Sequence, residues 1–266
     1  MKKLLSLVLS LSMAGSPATA AMPLGTAEKV CTIQYNQCLA SFADREEKAQ
    51  GIQNNDYVWN AKDGDKVAAL QLTGDIARGK ASYELCAGCH LPSGLGLRNI
   101  GLPQLAGQHS TVIIKQLSDL RAGLRYSPTM EPFALTRKGP QELADLAAYI
   151  ESLCTPLEHG KYSGSDANQK IAEGKAIYME KCRLCHGVEG KGDRARSYPV
   201  VAGQHYQYLM RQLTEIRDGT RHNSNPDMIT ALRKFSDDDR VAVSAFMASL
   251  TMPGKMCPAV ADMKKQ

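Results

Sequence analysis

The chain has 266 residues, a formal net charge of +5 and 22% charged side chains, too even a balance for a nucleic-acid-binding surface. The apolar run from Leu4 to Met13 is too short to span a bilayer and no other segment approaches the length needed, so no transmembrane helix is expected. The charge is spread unevenly, with −2 over residues 22–74, 0 over 75–166 and +5 over 167–266. Such asymmetry can orient docking to a partner, or be an ordinary solvated surface.

At the amino terminus, Lys2 and Lys3 precede the apolar run, followed by Pro17 and the small residues Ala18 to Ala21. This reads as a secretory signal peptide over 1–20, cleaved near Ala20 or Ala21. With no Cys near that point a lipid anchor is not expected, and the mature chain is read as a soluble periplasmic protein. Residues 21–74 form an extension with no counterpart later in the chain. It holds a helical stretch at about 27–48, Cys31, Cys38 and the single Trp, Trp59, read as a packing anchor. Together with Cys154 and Cys257, Cys31 and Cys38 make an even set, which in an exported protein argues for two disulfides in one of three pairings. On one continuous helix, Cys31 and Cys38 stand about 10.5 Å apart along the axis, too far to bridge. That favours stapling the extension to Cys154 and Cys257.

Next come two copies of Cys-x-x-Cys-His: Cys86, Cys89, His90 and, 96 positions later, Cys182, Cys185, His186. The motif reads as c-type haem attachment, the thiols forming thioethers and the His ligating iron. Zinc would need closed four-ligand sets, and a thioredoxin-like dithiol needs a βαβ context that the helical pattern lacks.

The copies extend beyond the motif. Gly79, Lys80, Ala81 and Tyr83 recur as Gly174, Lys175, Ala176 and Tyr178. Pro103, Ala106, Gly107, Gln108 and His109 recur as Pro199, Ala202, Gly203, Gln204 and His205. Gln116, Leu117, Arg121 and Gly123 return as Gln212, Leu213, Arg217 and Gly219. The chain therefore divides into a first haem domain over 75–155, a linker over 156–168 and a second haem domain over 169–266. Each copy reads as three helices. The first covers about 75–87 and 169–183. The second, about 110–122 and 206–218, has its stripe at Ile113, Leu117, Leu120 or Leu209, Leu213, Ile216 and ends at Gly123 or Gly219. The third, about 140–153 and 237–250, opens with Pro140 at N1 or Ser236 as N-cap. Its stripe is Leu143, Leu146, Ala147, Ile150 or Val241, Phe246, Leu250. The run Asp237, Asp238, Asp239 reads as first-turn charge favoured by the helix dipole.

Three helices around a covalently held haem resemble a class I cytochrome c domain. Two in tandem with these motifs resemble the dihaem cytochrome c4 family over about 75–252. The expected fold is thus all-α, two tandem class I cytochrome c domains preceded by a helical extension. The resemblance implies two covalently attached haem c groups facing each other across the domain interface. It also implies a Gly–aromatic crossing of first and last helices at Gly79 with Tyr149 and Gly174 with Phe246. The carbonyls of Pro103 and Pro199 would back His90 and His186. The sixth iron ligand is expected to be a Met before the last helix, Met130 in the first domain and Met228 in the second, with His222 as a competitor for the latter. A second His would lower the potential, whereas His/Met ligation raises it. His109 and His205, directly before the middle helices, are read as structural or capping residues.

The resulting reading is a periplasmic dihaem electron carrier rather than an enzyme. Its donor would be a quinol-oxidising complex or a dehydrogenase, and its acceptor a terminal oxidase or reductase. Peripheral contact with the membrane surface stays open. Lys181, Arg183, Lys191, Arg194 and Arg196 could form a docking face for an acidic partner. Two alternatives remain. One is a dihaem oxidoreductase of the peroxidase or thiosulfate-oxidising type, which needs an open iron or an unusual ligand. The other is the electron-accepting cytochrome subunit of a periplasmic dehydrogenase.

Overall fold

The structure, a computed structural model, describes residue 59, residues 64–154 and residues 160–251. The expected signal peptide, the helical stretch at 27–48, and Cys31, Cys38 and Cys257 lie outside the described residues.

Among the described residues the regular structure is helical, in chain order α1 (Gly64–Gln71), α2 (Ile76–His90), a 3-10 turn (Arg98–Ile100), α3 (Ser110–Arg121), α4 (Glu131–Leu135), α5 (Pro140–Ser152), α6 (Ala167–Lys181), α7 (Arg183–His186), α8 (Tyr206–Arg217), α9 (Pro226–Leu232) and α10 (Asp237–Ser249). In each repeat the first helix crosses the last, α2 on α5 and α6 on α10, while the middle helix, α3 or α8, packs on the last. Pro140 stands at the helix start as expected, and Ser236 with Asp239 forms a reciprocal capping box. The aspartate run does more than favour the dipole. Asp237 pairs with Arg217 and Arg240, and Asp238 with Lys170.

The crossings are as close as backbone permits. A Cβ on Gly79 would lie 2.0 Å from the Asp145 carbonyl oxygen and 2.8 Å from Tyr149 Cβ. One on Gly174 would lie 1.9 Å from the Ala242 oxygen and 3.0 Å from Phe246 Cβ. Beside each crossing an aromatic pair closes the core, Tyr83 with Tyr149 and Tyr178 with Phe246, both at 5.2 Å between ring centroids. The two buried tyrosines also donate to the carbonyl after the motif histidine, Tyr83 to Leu91 and Tyr178 to Gly187.

Three features differ from expectation. The first helix of the second repeat stops at Lys181, bends at Cys182 and resumes as α7, whereas α2 runs unbroken through its motif. Tyr83 precedes Cys86 by three residues but Tyr178 precedes Cys182 by four. One added residue rotates a helix by about 100°, and the break restores the motif's direction. Next, the buried stripe of α10 is Val243, Phe246 and Met247, with Val241 and Leu250 only partly covered. Finally, the end of the extension belongs structurally to the first domain. Helix α1 packs on α3 and α5, with Ala69 buried and Asp65 paired to Arg121 at 2.9 Å. Trp59 does act as a packing residue, its ring 5.7 Å from that of Tyr198 and 5.5 Å from the Lys115 ammonium.

Candidate haem-binding site

Both motif histidines sit at the end of a helix that buries them. His90 is 2% exposed and His186 7%. Each has its ring oriented from behind: His90 Nδ1 lies 2.9 Å from the Pro103 carbonyl and His186 Nδ1 3.1 Å from the Pro199 carbonyl. A carbonyl only accepts, so Nδ1 carries the proton and Nε2 presents its lone pair. Burial holds both imidazoles below their ordinary pKa, against the opposing pull of the proline carbonyls. His90 Nε2 is buried without a hydrogen-bond partner. A buried bare acceptor is costly unless something ligates it.

What both rings face is one cavity of about 640 Å³ lined from both repeats. Cys86, Cys89, His90, Pro103 and Met130 line it from the first, and Cys182, His186, Pro199 and Met228 from the second. The remaining wall is largely aliphatic, including Val112, Leu120, Leu146, Val201, Leu213 and Val243. Burial raises the Cys86 thiol, and pushes Cys182 up to about 12. Of the cysteines and histidines of the two motifs, Cys185 alone is absent from the lining, placed on α7 beyond the bend. Met130 is the N-cap residue of α4, while Met228 lies in the first turns of α9 and packs on the second core. His222 does not line the cavity. Among the described residues no other Cys does so either.

Polar groups gather at one stretch of the wall. The Arg125 guanidinium donates to Gln116 Oε1 at 2.8 Å and Gln212 Oε1 at 3.3 Å, and Arg221 donates to the same two oxygens at 3.2 and 2.6 Å. Burial and the neighbouring Arg125 lower the Arg221 pKa to about 10. Two half-buried guanidiniums held by neutral amides give the cavity a positive wall suited to carboxylates. Apolar walls, a bare imidazole nitrogen, paired cysteines and a cationic wall together fit a haem with its propionates on each side.

The repeated Ala-Gly-Gln-His segments, whose expected role was local, build the seam between the repeats. Gln108 donates through Nε2 to the Val200 carbonyl at 3.0 Å and accepts from Val200 N–H at 2.9 Å. Gln204 donates to the Gln104 carbonyl at 2.9 Å and accepts from Gln104 N–H at 2.9 Å. His109 and His205 occupy the N-cap positions of α3 and α8, but their side chains make no capping bond. Their Nε2 atoms reach across instead, His109 to the Lys191 carbonyl at 2.7 Å and His205 to the Leu95 carbonyl at 2.6 Å. Arg194, expected on a docking face, also joins the seam, pairing with Glu151 at 3.0 Å and donating to Ser110 Oγ at 3.0 Å. A polar motif that recurs intact beside each haem motif, without haem ligands in it, was the available sign of this seam.

Comparison with known proteins agrees with this geometry. The cytochrome c family model matches twice, over residues 76–154 and 171–251. A cytochrome c4 of Azotobacter vinelandii is 32% identical over 198 residues, covering 66% of this chain and 90% of the relative. A thiosulfate dehydrogenase electron acceptor of Stutzerimonas stutzeri is 34% identical over 172 residues, covering 62% and 78%. Among solved structures, reduced recombinant cytochrome c4 from Pseudomonas stutzeri superposes with a TM-score of 0.60 at 28% identity, covering 67% of this chain and all of that one. The double match, the tandem helical domains and the cavity they share place this chain in the cytochrome c4 family, as a dihaem electron-transfer cytochrome with two covalently attached haem c groups.

Proposed function

We propose that Cys86 and Cys89 hold one haem and Cys182 and Cys185 the other, with His90 and His186 as proximal ligands and Met130 and Met228 as distal ligands. The observation that carries this reading is the placement of each proline-backed histidine and its methionine on the wall of one cavity. The haems supply reversible one-electron exchange when bound, and the chain orients the imidazoles, shields the site from water and sets the potential. The domains divide as in the sequence, 75–155 and 169–266, with the short α1 added to the first.

A filled pair of axial positions makes the protein a carrier rather than an enzyme. An oxidoreductase of the thiosulfate-oxidising type would need an open iron or a thiolate ligand, and no thiol beyond the motifs reaches the cavity among the described residues. The signal-like amino terminus supports a periplasmic location. Donor and acceptor are a quinol-oxidising complex or dehydrogenase and a terminal oxidase or reductase. A dehydrogenase donor that oxidises thiosulfate is favoured by the relative named as electron acceptor of such an enzyme. Optical spectra of the oxidised and reduced holoprotein, with and without carbon monoxide, test the site. The expected result is two haems per chain, a methionine–ferric charge-transfer band and no carbon monoxide binding. Rapid carbon monoxide binding would sink the carrier reading.

Arg194 joins the seam while its side chain stays 62% exposed, so the docking face keeps Lys181, Arg183, Lys191, Arg194 and Arg196, together with Leu184, which is 82% exposed between the second-domain cysteines. Salt should therefore slow transfer to an acidic partner steeply. Rates unchanged with ionic strength would remove this face.

A further inference from the structure

We propose that His109 and His205 are positioning residues acting across the seam, each holding the peptide group that braces the other domain's proximal histidine and so raising that haem's reduction potential. This rests on the reading of His90 and His186 as proximal ligands.

The geometry is a two-bond relay through a single peptide plane. His205 Nε2–H donates to the carbonyl of Leu95 at 2.6 Å. The N–H of the same peptide group, that of Gly96, donates to the carbonyl of His90 at 2.9 Å. The mirror relay runs the other way: His109 Nε2–H donates to the Lys191 carbonyl at 2.7 Å, and Gly192 N–H donates to the His186 carbonyl at 2.8 Å. A hydrogen bond to a peptide oxygen polarises that peptide and strengthens its N–H as a donor. Its positive end is aimed at the carbonyl of the motif histidine, from where it would disfavour the additional positive charge of an oxidised iron held by that residue. The same bond fixes the loop after each motif, which carries the proline carbonyl that orients the ring.

The contact ends on the same peptide in both directions because the two repeats meet through matching patches. The seam also has a separate fastening in Gln108 and Gln204, each bonded to both polar groups of a facing residue. His205 is 2% exposed, so its bond to Leu95 is shielded from water, where hydrogen bonds weigh most.

The test is a redox titration of the holoprotein followed by proton NMR, with haem methyl signals assigned to their domains. Wild type is compared with His205→Leu, His109→Leu and the conservative His205→Gln, whose amide nitrogen can still donate. The expected pattern is crossed. His205→Leu raises the ferric-to-ferrous ratio of the first-domain haem several-fold at fixed potential and leaves the second nearly unchanged. His109→Leu does the reverse, and His205→Gln restores most of the wild-type ratio. Shifts confined to the substituted domain, equal in both haems, or absent would overturn the proposal. So would loss of both haem spectra in all variants, the Gln variant included, since that marks simple seam adhesion. A wild-type spectrum lacking the methionine band would instead sink the ligand reading on which the relay depends.

Discussion

Directly after the motif histidine the first domain places Leu91 at φ +64 and ψ 154, where the second has Gly187 at φ +75 and ψ 162. Ten residues on the roles reverse. The first domain has Gly101 at φ +64 and the second has the buried Ser197 at φ +56. Both domains thus trace the same backbone, but each carries one side chain where glycine would be unstrained. The region occupied by Leu91 is essentially restricted to glycine and costs about 1–3 kcal/mol. The haem loop's shape is therefore imposed by what surrounds it, the bonds of Tyr83, Pro103 and the seam, rather than by its own preferences. A second contrast lies in how first and last helices are tied. Asp145 accepts from Asp75 N–H, Gln141 and Arg78, the last at 2.7 Å. The corresponding residue of the second domain is Ala242, and its tie is the buried Lys170 with the exposed Asp238.

These contrasts can be broken deliberately. The largest effect is expected where the domains agree. Gly79→Ala and Gly174→Ala each force the helices apart and should cost about 3 kcal/mol in denaturant unfolding; tolerance at either position would mean the crossing is looser than drawn. Next, Asp145→Ala should cost about 2 kcal/mol at neutral pH by stranding its donors. Lys170→Ala should cost less than Asp145→Ala, because solvent screens its pair from the exposed Asp238 side. The Arg78 guanidinium holds the Asp145 carboxyl below its ordinary value. Its contribution is therefore complete above the unfolded value of about 4 and lost as pH falls through the lowered folded value. The deficit of Asp145→Ala should accordingly shrink in acid; a deficit independent of pH would show that the charge is not what matters. The remaining change is a gain. Leu91→Gly should stabilise the first domain by about 1 kcal/mol, strain relief exceeding the added chain entropy, whereas Gly187→Leu should destabilise the second.

Much of this was legible because periodicity and breakers are local signals. Helices α3, α5, α8 and α10 begin and end within a residue or two of the positions set by Pro140, Ser236, Gly123 and Gly219. The proline carbonyls stand behind His90 and His186 as the family resemblance implied. The bend at Cys182 was present in the sequence as an offset of 95 positions before the second motif and 96 after it, but only helix geometry turns that into a break. The seam stayed hidden for a different reason. Gln108 and His109 have partners more than 80 positions away, as does Arg194 in its bond to Ser110, and no local pattern names a long-range partner. Helix α1 offers too short a stripe to announce that it belongs to the first core.

The seam also bears on how such a molecule could arise. Its contacts are reciprocal, with Gln108 against Val200 matched by Gln204 against Gln104, so one patch meets a copy of itself as in an isologous homodimer. Two separate domains with this patch would associate only as far as their concentration allowed. Joined in one chain, they meet at the effective concentration set by the short connection between α5 and α6, and the seam no longer depends on how much protein is present.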